Sequence, residues 1–316
     1  MTGAEFLLKY ADRITFSRKE NQEGNQMKKA IRTLATAFIA AALAGCAGGS
    51  ASSSSSSSAA SAEDKVITIG ATPVPHAEIL NNIVKEVLAN DGWVLEVTVF
   101  NDYVQPNTAV EEGELDANYY QTLGYMNGEN QDRGLHLTAV AGVHIEPMGL
   151  YSEKITSLSD LADGAEIAVP NDKDNESRAL SLLVAKGLLN DPGTEVLTET
   201  DFNGNADTNP HNYKITPIEA ASLPRTLADV DGAVINGNYA LEANLPATHP
   251  ALFIEEFDAD TTVRRTNWIV VKEGNEQSDK IQALCKAIQS EKVQKFIDDT
   301  YKGAVITSFL GADAAK

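Results

Sequence analysis

Cysteine is nearly absent from this chain: 316 residues contain Cys46 and Cys285 and no other. Two cysteines exclude a disulfide-stapled scaffold, so stability has to come from a buried core. Basic residues are also few, 25 Lys and Arg against 45 Asp and Glu, for a formal charge of −20. The first 45 residues hold seven of the basic and four of the acidic side chains, so the rest is more acidic still. That balance disfavours nucleic acid and anionic membrane surfaces as direct partners. Beyond Cys46 no run approaches the roughly 20 apolar residues of a membrane-spanning helix. Catalytic signatures are missing too. There is no GxSxG and no GxxxxGK[ST], and His76, His136, His144, His211 and His249 show no HExxH or other tight ligand spacing. The expectation is a non-enzyme with no cofactor and no metal.

What is present begins at the N-terminus. From Met27 the chain reads MKKAIRTLATAFIAAALAGC. Lys28, Lys29 and Arg32 form a basic region, Thr33 to Ala42 a short apolar one, and Leu43-Ala44-Gly45 supply small residues before Cys46. This order is that of a signal peptide. The Cys after LAG resembles the bacterial lipobox, which makes Cys46 the expected lipidation site and residues 27–45 the expected lipoprotein signal peptide. A signal should start at its basic region, so Met27 is the expected start and 1–26 an upstream, non-translated extension. Gln22-Glu23-Gly24 is compatible with CAG-GAG-GGN codons, a ribosome-binding sequence shortly before Met27. Residues 46–64, AGGSASSSSSSSAASAED after the Cys, cannot bury enough apolar surface to fold and read as a lipidated flexible tether. An exported body held to the cell membrane by lipid, facing the periplasm or cell exterior, is the expected arrangement.

The folded part begins near Lys65 and has room for one large domain or two lobes. VITIG reads as a strand, and Ile79, Leu80, Ile83, Val84 and Val87 have helical spacing. WVLEVTVF alternates as a strand. A short helix is expected to end near Gly113, followed by an extended segment through ANYYQTLGYM. LTAVAGVHI, PMGLYSEK, EIAVP, YKITPIEA, DGAVIN and RTNWIVVKEG are further strands. NESRALSLLVAKGLL is a helix with Asn175 placed as its cap and Gly187 near its end. DKIQALCKAIQSEKVQKFIDDTYKG forms one or two amphipathic helices, with Cys285 packing on an apolar position. Strands alternating with helices argue for an α/β architecture with mainly parallel sheets, two lobes and a cleft.

Two stretches carry candidate chemistry. NDKDNESRAL places Asn175 and Arg178 at the start of a helix that follows a strand. Backbone N–H groups and the helix dipole favour an anion there, and the Arg can clamp a carboxylate through two bonds. The competing reading is an ion pair with one of the many acidic residues. VINGNYA ends a buried strand in Asn236-Gly237-Asn238, at a sheet edge where amide oxygens can accept from an ammonium. Asn-Gly is equally good turn chemistry.

FNDYVQPNTAVEEGELDANYYQ, EPMGLYS, IAVPNDKDNESRAL, LPRTLADVDGAVINGNYA and the C-terminal helices, in that order over roughly 65–310, resemble the MetQ/NlpA family of methionine-binding lipoproteins of ABC importers. The resemblance implies a two-lobed type II periplasmic-binding-protein fold with two hinge crossovers. Lobe 1 would comprise 65–147 plus about 264–316, and lobe 2 about 148–263. It implies a monomer that captures L-methionine or a related amino acid for a membrane permease with a cytoplasmic ATPase. Arg178 would hold the ligand carboxylate, with Asn175, Asn236 and Asn238 beside it. Tyr103, Tyr120 and Tyr125 would line the side-chain pocket, with His144 a further ligand-binding candidate. Where the family often has His and Pro, this chain has Thr122 and Gly124, which bears on side-chain identity. The alternatives are another amino acid or short peptide on the same fold, or a surface interaction lipoprotein with a vestigial cleft.

Overall fold

A computed structural model describes residues 65–316. The Met27 start, the signal peptide, Cys46 and the tether lie outside the described residues. In chain order the strands are β1 (Val66–Ala71), β2 (Val94–Val99), β3 (Ala117–Thr122), β4 (Leu137–Ile145), β5 (Gly149–Tyr151), β6 (Glu166–Pro170), β7 (Lys214–Ile218), β8 (Gly232–Ile235), β9 (Phe253–Ile254), β10 (Thr266–Lys272) and β11 (Ile306–Gly311). The α-helices are α1 (Lys85–Asn90), α2 (Gln105–Glu111), α3 (Leu123–Arg133), α4 (Lys173–Ala185), α5 (Leu223–Thr226), α6 (Gly237–Glu242), α7 (Leu245–Thr248), α8 (Ala259–Arg265), α9 (Asp279–Ile288) and α10 (Glu291–Tyr301).

Two sheets divide these strands, in the orders β11-β4-β10-β3-β1-β2 and β7-β6-β8-β5-β9. The chain passes between them twice, at 146–148 after β4 and at 255–258 after β9. Strand periodicity sorts the cores. Along β10, Trp268 and Val270 pack on one face with Val110, Leu123 and Met126, while Ile269 and Val271 pack on the other with Ile67, Leu95 and Leu284. In the second sheet Ile167, Val169 and Val234 face Leu180, Leu183 and Phe202, and Ala168, Ala233 and Ile235 face Leu223 and Leu227. Each such Leu, Ile or Val is worth about 1.5–3 kcal/mol of transfer free energy. Cys285 is partly buried against the first core, where burial pushes its thiol up to about 11.

Three expectations need correction. The sheets are mixed rather than mainly parallel. β1 pairs in parallel with β2 and β3, and β6 with β7 and β8. β10, however, is antiparallel to β3 and β4, β11 to β4, and β5 to β8 and β9. Parallel pairing needs a crossover, and helices lie between β1 and β2, β2 and β3, β6 and β7, and β7 and β8; β5 follows the first passage directly and β10 follows the second through α8, so neither is held to that direction. Next, ANYYQTLGYM is not extended throughout. Thr122 has extended backbone angles and its Oγ1 accepts from the Tyr125 N–H at 3.4 Å, so it caps α3 and ends the strand. Finally, Asn175 does not cap α4. Asp172 does, its Oδ1 accepting from the Asn175 N–H at 3.0 Å, so the helix starts three residues earlier in the acidic run.

Candidate functional site

The two passages run under a narrow cavity that both lobes line. Tyr103, Tyr120, Thr122 and Tyr125 contribute from the six-stranded side, and Asn175, Arg178, Asn236 and Asn238 from the other. The C-terminal end of β8 delivers Asn236 and Asn238 around Gly237. A methyl group at Gly237 would stand 2.7 Å from Glu146 Cβ and 2.9 Å from the Pro147 carbonyl, so only Gly lets this turn meet the first passage.

The second lobe's wall is polar and aimed. Asn175 Nδ2 donates to both oxygens of Asp172, at 2.9 and 3.1 Å, and Asn236 Nδ2 donates to Asn175 Oδ1 at 2.8 Å. That leaves Asn236 Oδ1 buried without a partner. Tyr103 Oη donates to Asn238 Oδ1 at 2.6 Å, which leaves Asn238 Nδ2 buried without one. Buried polar atoms are nearly always paired, so an unpaired acceptor and an unpaired donor lining one cavity mark a ligand's donor and acceptor.

Arg178 departs from the expected carboxylate clamp. Its Nε lies 3.1 Å from both oxygens of Glu255 and its Nη2 2.5 Å from Oε2, so Glu255 occupies that edge. Nη2 also donates to the Glu146 carbonyl at 3.0 Å. Arg178 therefore ties α4 to both passages, and Nη1 is the corner outside the Glu255 pair. Burial raises the Glu255 carboxyl, but the Arg178 charge and hydrogen bonds outweigh it and hold the group below its usual range.

The first lobe's wall offers ring faces. Tyr103 lies 5.5 Å from Tyr120, 5.6 Å from Tyr125 and 5.0 Å from Tyr239, centroid to centroid. The phenols of Tyr120 and Tyr125 donate to the Tyr103 carbonyl at 2.7 and 3.2 Å, so their polar tips are spent inside the wall. Gln121 likewise exchanges hydrogen bonds with Asn107 and donates to Asn118 Oδ1. Tyr119, one residue before Tyr120, points to the opposite face and is fully buried.

His144 does not line the cavity. It is fully buried one layer beneath, its Nδ1 against the Tyr119 hydroxyl and its Nε2 on Glu146 Oε1 at 2.6 Å. Lying two residues before Glu146, it places the carboxylate rather than itself at the floor. His76 Nε2 also reaches Glu146 Oε1, at 3.2 Å, while its Nδ1 meets Thr72 Oγ1 at 2.8 Å. Burial lowers His76 to about 4 and His144 to about 3. Both rings are therefore neutral at pH 7. His144 then donates from Nε2 to the carboxylate and His76 from Nε2 to Asn267 Oδ1 at 3.2 Å, and each accepts at Nδ1 from a hydroxyl. His76, His144 and Glu146 bring ligand atoms within 4.8 Å of one another, a spacing a cation could use. The tautomers just described satisfy all of these atoms without one.

The lobes also meet directly. Asp174 on α4 lies 3.8 Å from Arg265 Nη1 and 3.5 Å from Thr122 Oγ1. A methyl on Gly124 would stand 2.2 Å from Asp174 Oδ1. Thr122 and Gly124 thus serve as cap and clearance for α3 against α4, with Thr122 also on the cavity wall. Glu146, Gln121 and Asn267 line the cavity without having been singled out in the sequence. Asp172, behind the wall, was also missed, though its position three residues before Asn175 was a legible cap signal.

Two mixed α/β lobes, two passages and a polar cleft between them define a type II substrate-binding protein. The NlpA lipoprotein family model matches residues 67–309, and the chain belongs to that family. It is 35% identical over 232 residues to the D-methionine-binding lipoprotein MetQ of Salmonella typhi, covering 73% of this chain and 82% of that one. A nutrient-binding protein from Burkholderia cenocepacia solved bound to methionine is 39% identical, with a TM-score of 0.71 over 77% of this chain and 100% of the other. A periplasmic substrate-binding protein of an ABC transporter from Coxiella burnetii is 33% identical, with a TM-score of 0.71 over 77% and 100%.

Proposed function

We propose that this chain captures a free amino acid, methionine or a close apolar relative, and presents it to an ABC permease driven by a cytoplasmic ATPase. Cys46 carries the lipid that holds it at the membrane. The observation that carries this reading is the pair of buried, unpartnered amide atoms of opposite polarity beside Arg178. Asn236 Oδ1 takes the ligand ammonium, while Asn238 Nδ2 and the free corner of Arg178 take its carboxylate. The ring faces of Tyr103, Tyr120 and Tyr125 take the side chain, and a thioether suits aromatic edges. Binding at 1 μM needs only about −8 kcal/mol, within reach of two charge-assisted contacts and an apolar pocket. Since Arg178 touches both passages, occupancy of the cleft reaches the hinge through the residue that reads the ligand. Titration calorimetry across the twenty amino acids checks this. Methionine or a similarly apolar amino acid should bind one to one, and heat from none of them would refute the reading.

A further inference from the structure

We propose that Asp172, which lies behind the cleft wall, is a positioning residue: its carboxylate sets the donor–acceptor polarity of the cleft through Asn175 and Asn236. This rests on the amino-acid reading above and adds the device that makes the cleft select an ammonium at one end.

An amide side chain can turn either its oxygen or its nitrogen to a neighbour, and the two are nearly isosteric. What fixes the choice is a neighbour with no choice of its own. Burial raises the Asp172 carboxyl to about 6, so it is mostly ionised at pH 7, and an ionised carboxylate only accepts. Asp172 therefore forces the Asn175 atom facing it to be Nδ2, which it grips with both oxygens at 2.9 and 3.1 Å. Asn175 is then forced to present Oδ1 to the next group, 2.8 Å away, and Asn236 must answer with Nδ2. The one atom left is Asn236 Oδ1, buried, unpartnered and lining the cavity. The polarity of that last atom is thus decided two residues upstream. Were Asp172 a group able to donate, the chain of amides could turn over as a unit, and the cleft would show Asn236 Nδ2 beside Asn238 Nδ2. Two donors and Arg178 would still suit a carboxylate and would repel an ammonium.

Asp172 also caps α4, and that role alone would explain a polar residue at its position. The two roles separate by substitution. Asp172→Asn keeps shape and a capping oxygen, and turns an NH₂ toward Asn175. Asp172→Ser keeps a competent cap and removes the same charge, but its hydroxyl both donates and accepts, so it imposes neither polarity.

The test measures affinity for L-methionine and for its deaminated analogue, 4-(methylthio)butanoate, in the wild type and both variants, with thermal melts to show that each folds. The wild type should prefer methionine. Asp172→Asn should lose about tenfold or more of that preference, with the analogue's affinity held or increased. Asp172→Ser should fall between the two, since it loses the charge but is not reversed. Equal loss of both ligands in Asp172→Asn would show a capping role only and overturn the proposal, as would equal preferences in the Asn and Ser variants. If Asp172→Ser does not fold, Asp172→Thr, a comparable cap, takes its place under the same criterion. Wild-type protein that binds neither methionine nor any other amino acid would overturn the ligand reading, and this inference with it. Wild-type preference that survives unchanged in Asp172→Asn would overturn the inference alone.

Discussion

The two walls of the cleft are built to opposite rules. On the tyrosine wall the tips of Tyr120 and Tyr125 are satisfied by the Tyr103 carbonyl, so a ligand meets faces rather than hydrogen-bonding atoms. On the asparagine wall Asn236 and Asn238 each keep one atom unpaired, at the cost of burying it. A wall of faces tolerates many side chains. A wall of fixed unpaired atoms demands one arrangement of charge. On the proposed reading, the second lobe takes the part common to all amino acids and the first lobe sorts what varies among them.

The largest break in that comparison should come from Arg178. Arg178→Ala alone would leave the buried Glu255 with only Arg265 and the Met148 N–H, at a cost in stability of up to about 3–5 kcal/mol. The double variant Arg178→Ala/Glu255→Gln removes the pair together, so it should stay folded while methionine binding by calorimetry drops beyond detection. Retained micromolar affinity in the double variant would remove Arg178 from the site. Next in size, Asn236→Ala deletes the unpaired acceptor and should weaken methionine by about 1.5–3 kcal/mol, the value of a hydrogen bond to a charged group. Gly124→Ala is a test of closure. Gly124 is the second residue of α3, and the new methyl would stand 2.2 Å from Asp174 Oδ1 across the cleft. Methionine affinity should fall, because the lobes can no longer meet at this point, and unchanged affinity would show that Asp174 simply moves aside. The smallest effect belongs to Tyr120→Phe, whose lost hydroxyl faces Tyr103 rather than the ligand. Stability should drop by about 1 kcal/mol with the order of amino-acid affinities preserved.

The floor beneath both walls makes its own prediction about pH. Burial depresses His76 to about 4 and His144 to about 3, so the native state stays unprotonated where the unfolded chain, near 6.5, takes up protons. Their stabilisation is present above the unfolded value and is lost as pH falls toward 4. The two rings together contribute a decline in unfolding free energy of up to about 2.7 kcal/mol per pH unit between pH 6 and 4, opposed in part by Glu146, whose carboxyl is raised by burial. His144→Gln should flatten that slope in denaturant titrations followed by fluorescence. An unchanged slope would place the proton uptake elsewhere.

Much of this was readable in the chain. VINGNYA announced a buried strand that stops at a turn of two amides, and NESRAL announced an Arg one turn into a helix, because apolar runs and helix starts are local signals. What escaped was set by distant partners. That Glu255 would take an edge of Arg178 depends on a residue 77 positions away, and that Gly124 faces Asp174 depends on how the lobes meet. His144 was a ligand-binding candidate, yet whether it faces the cleft or supports Glu146 is decided by its position at the end of β4. Thr122 read as a pocket residue in place of the family His. Its capping bond to Tyr125 shows why a short hydroxyl serves there whatever the ligand.

A crystal structure of the protein with methionine tests the central claim most directly. The ligand's amino nitrogen should lie within hydrogen-bond distance of Asn236 Oδ1, its carboxylate on Asn238 Nδ2 and Arg178 Nη1, and its thioether among Tyr103, Tyr120 and Tyr125. A ligand bound with these ends exchanged, or outside the cleft, would contradict the account.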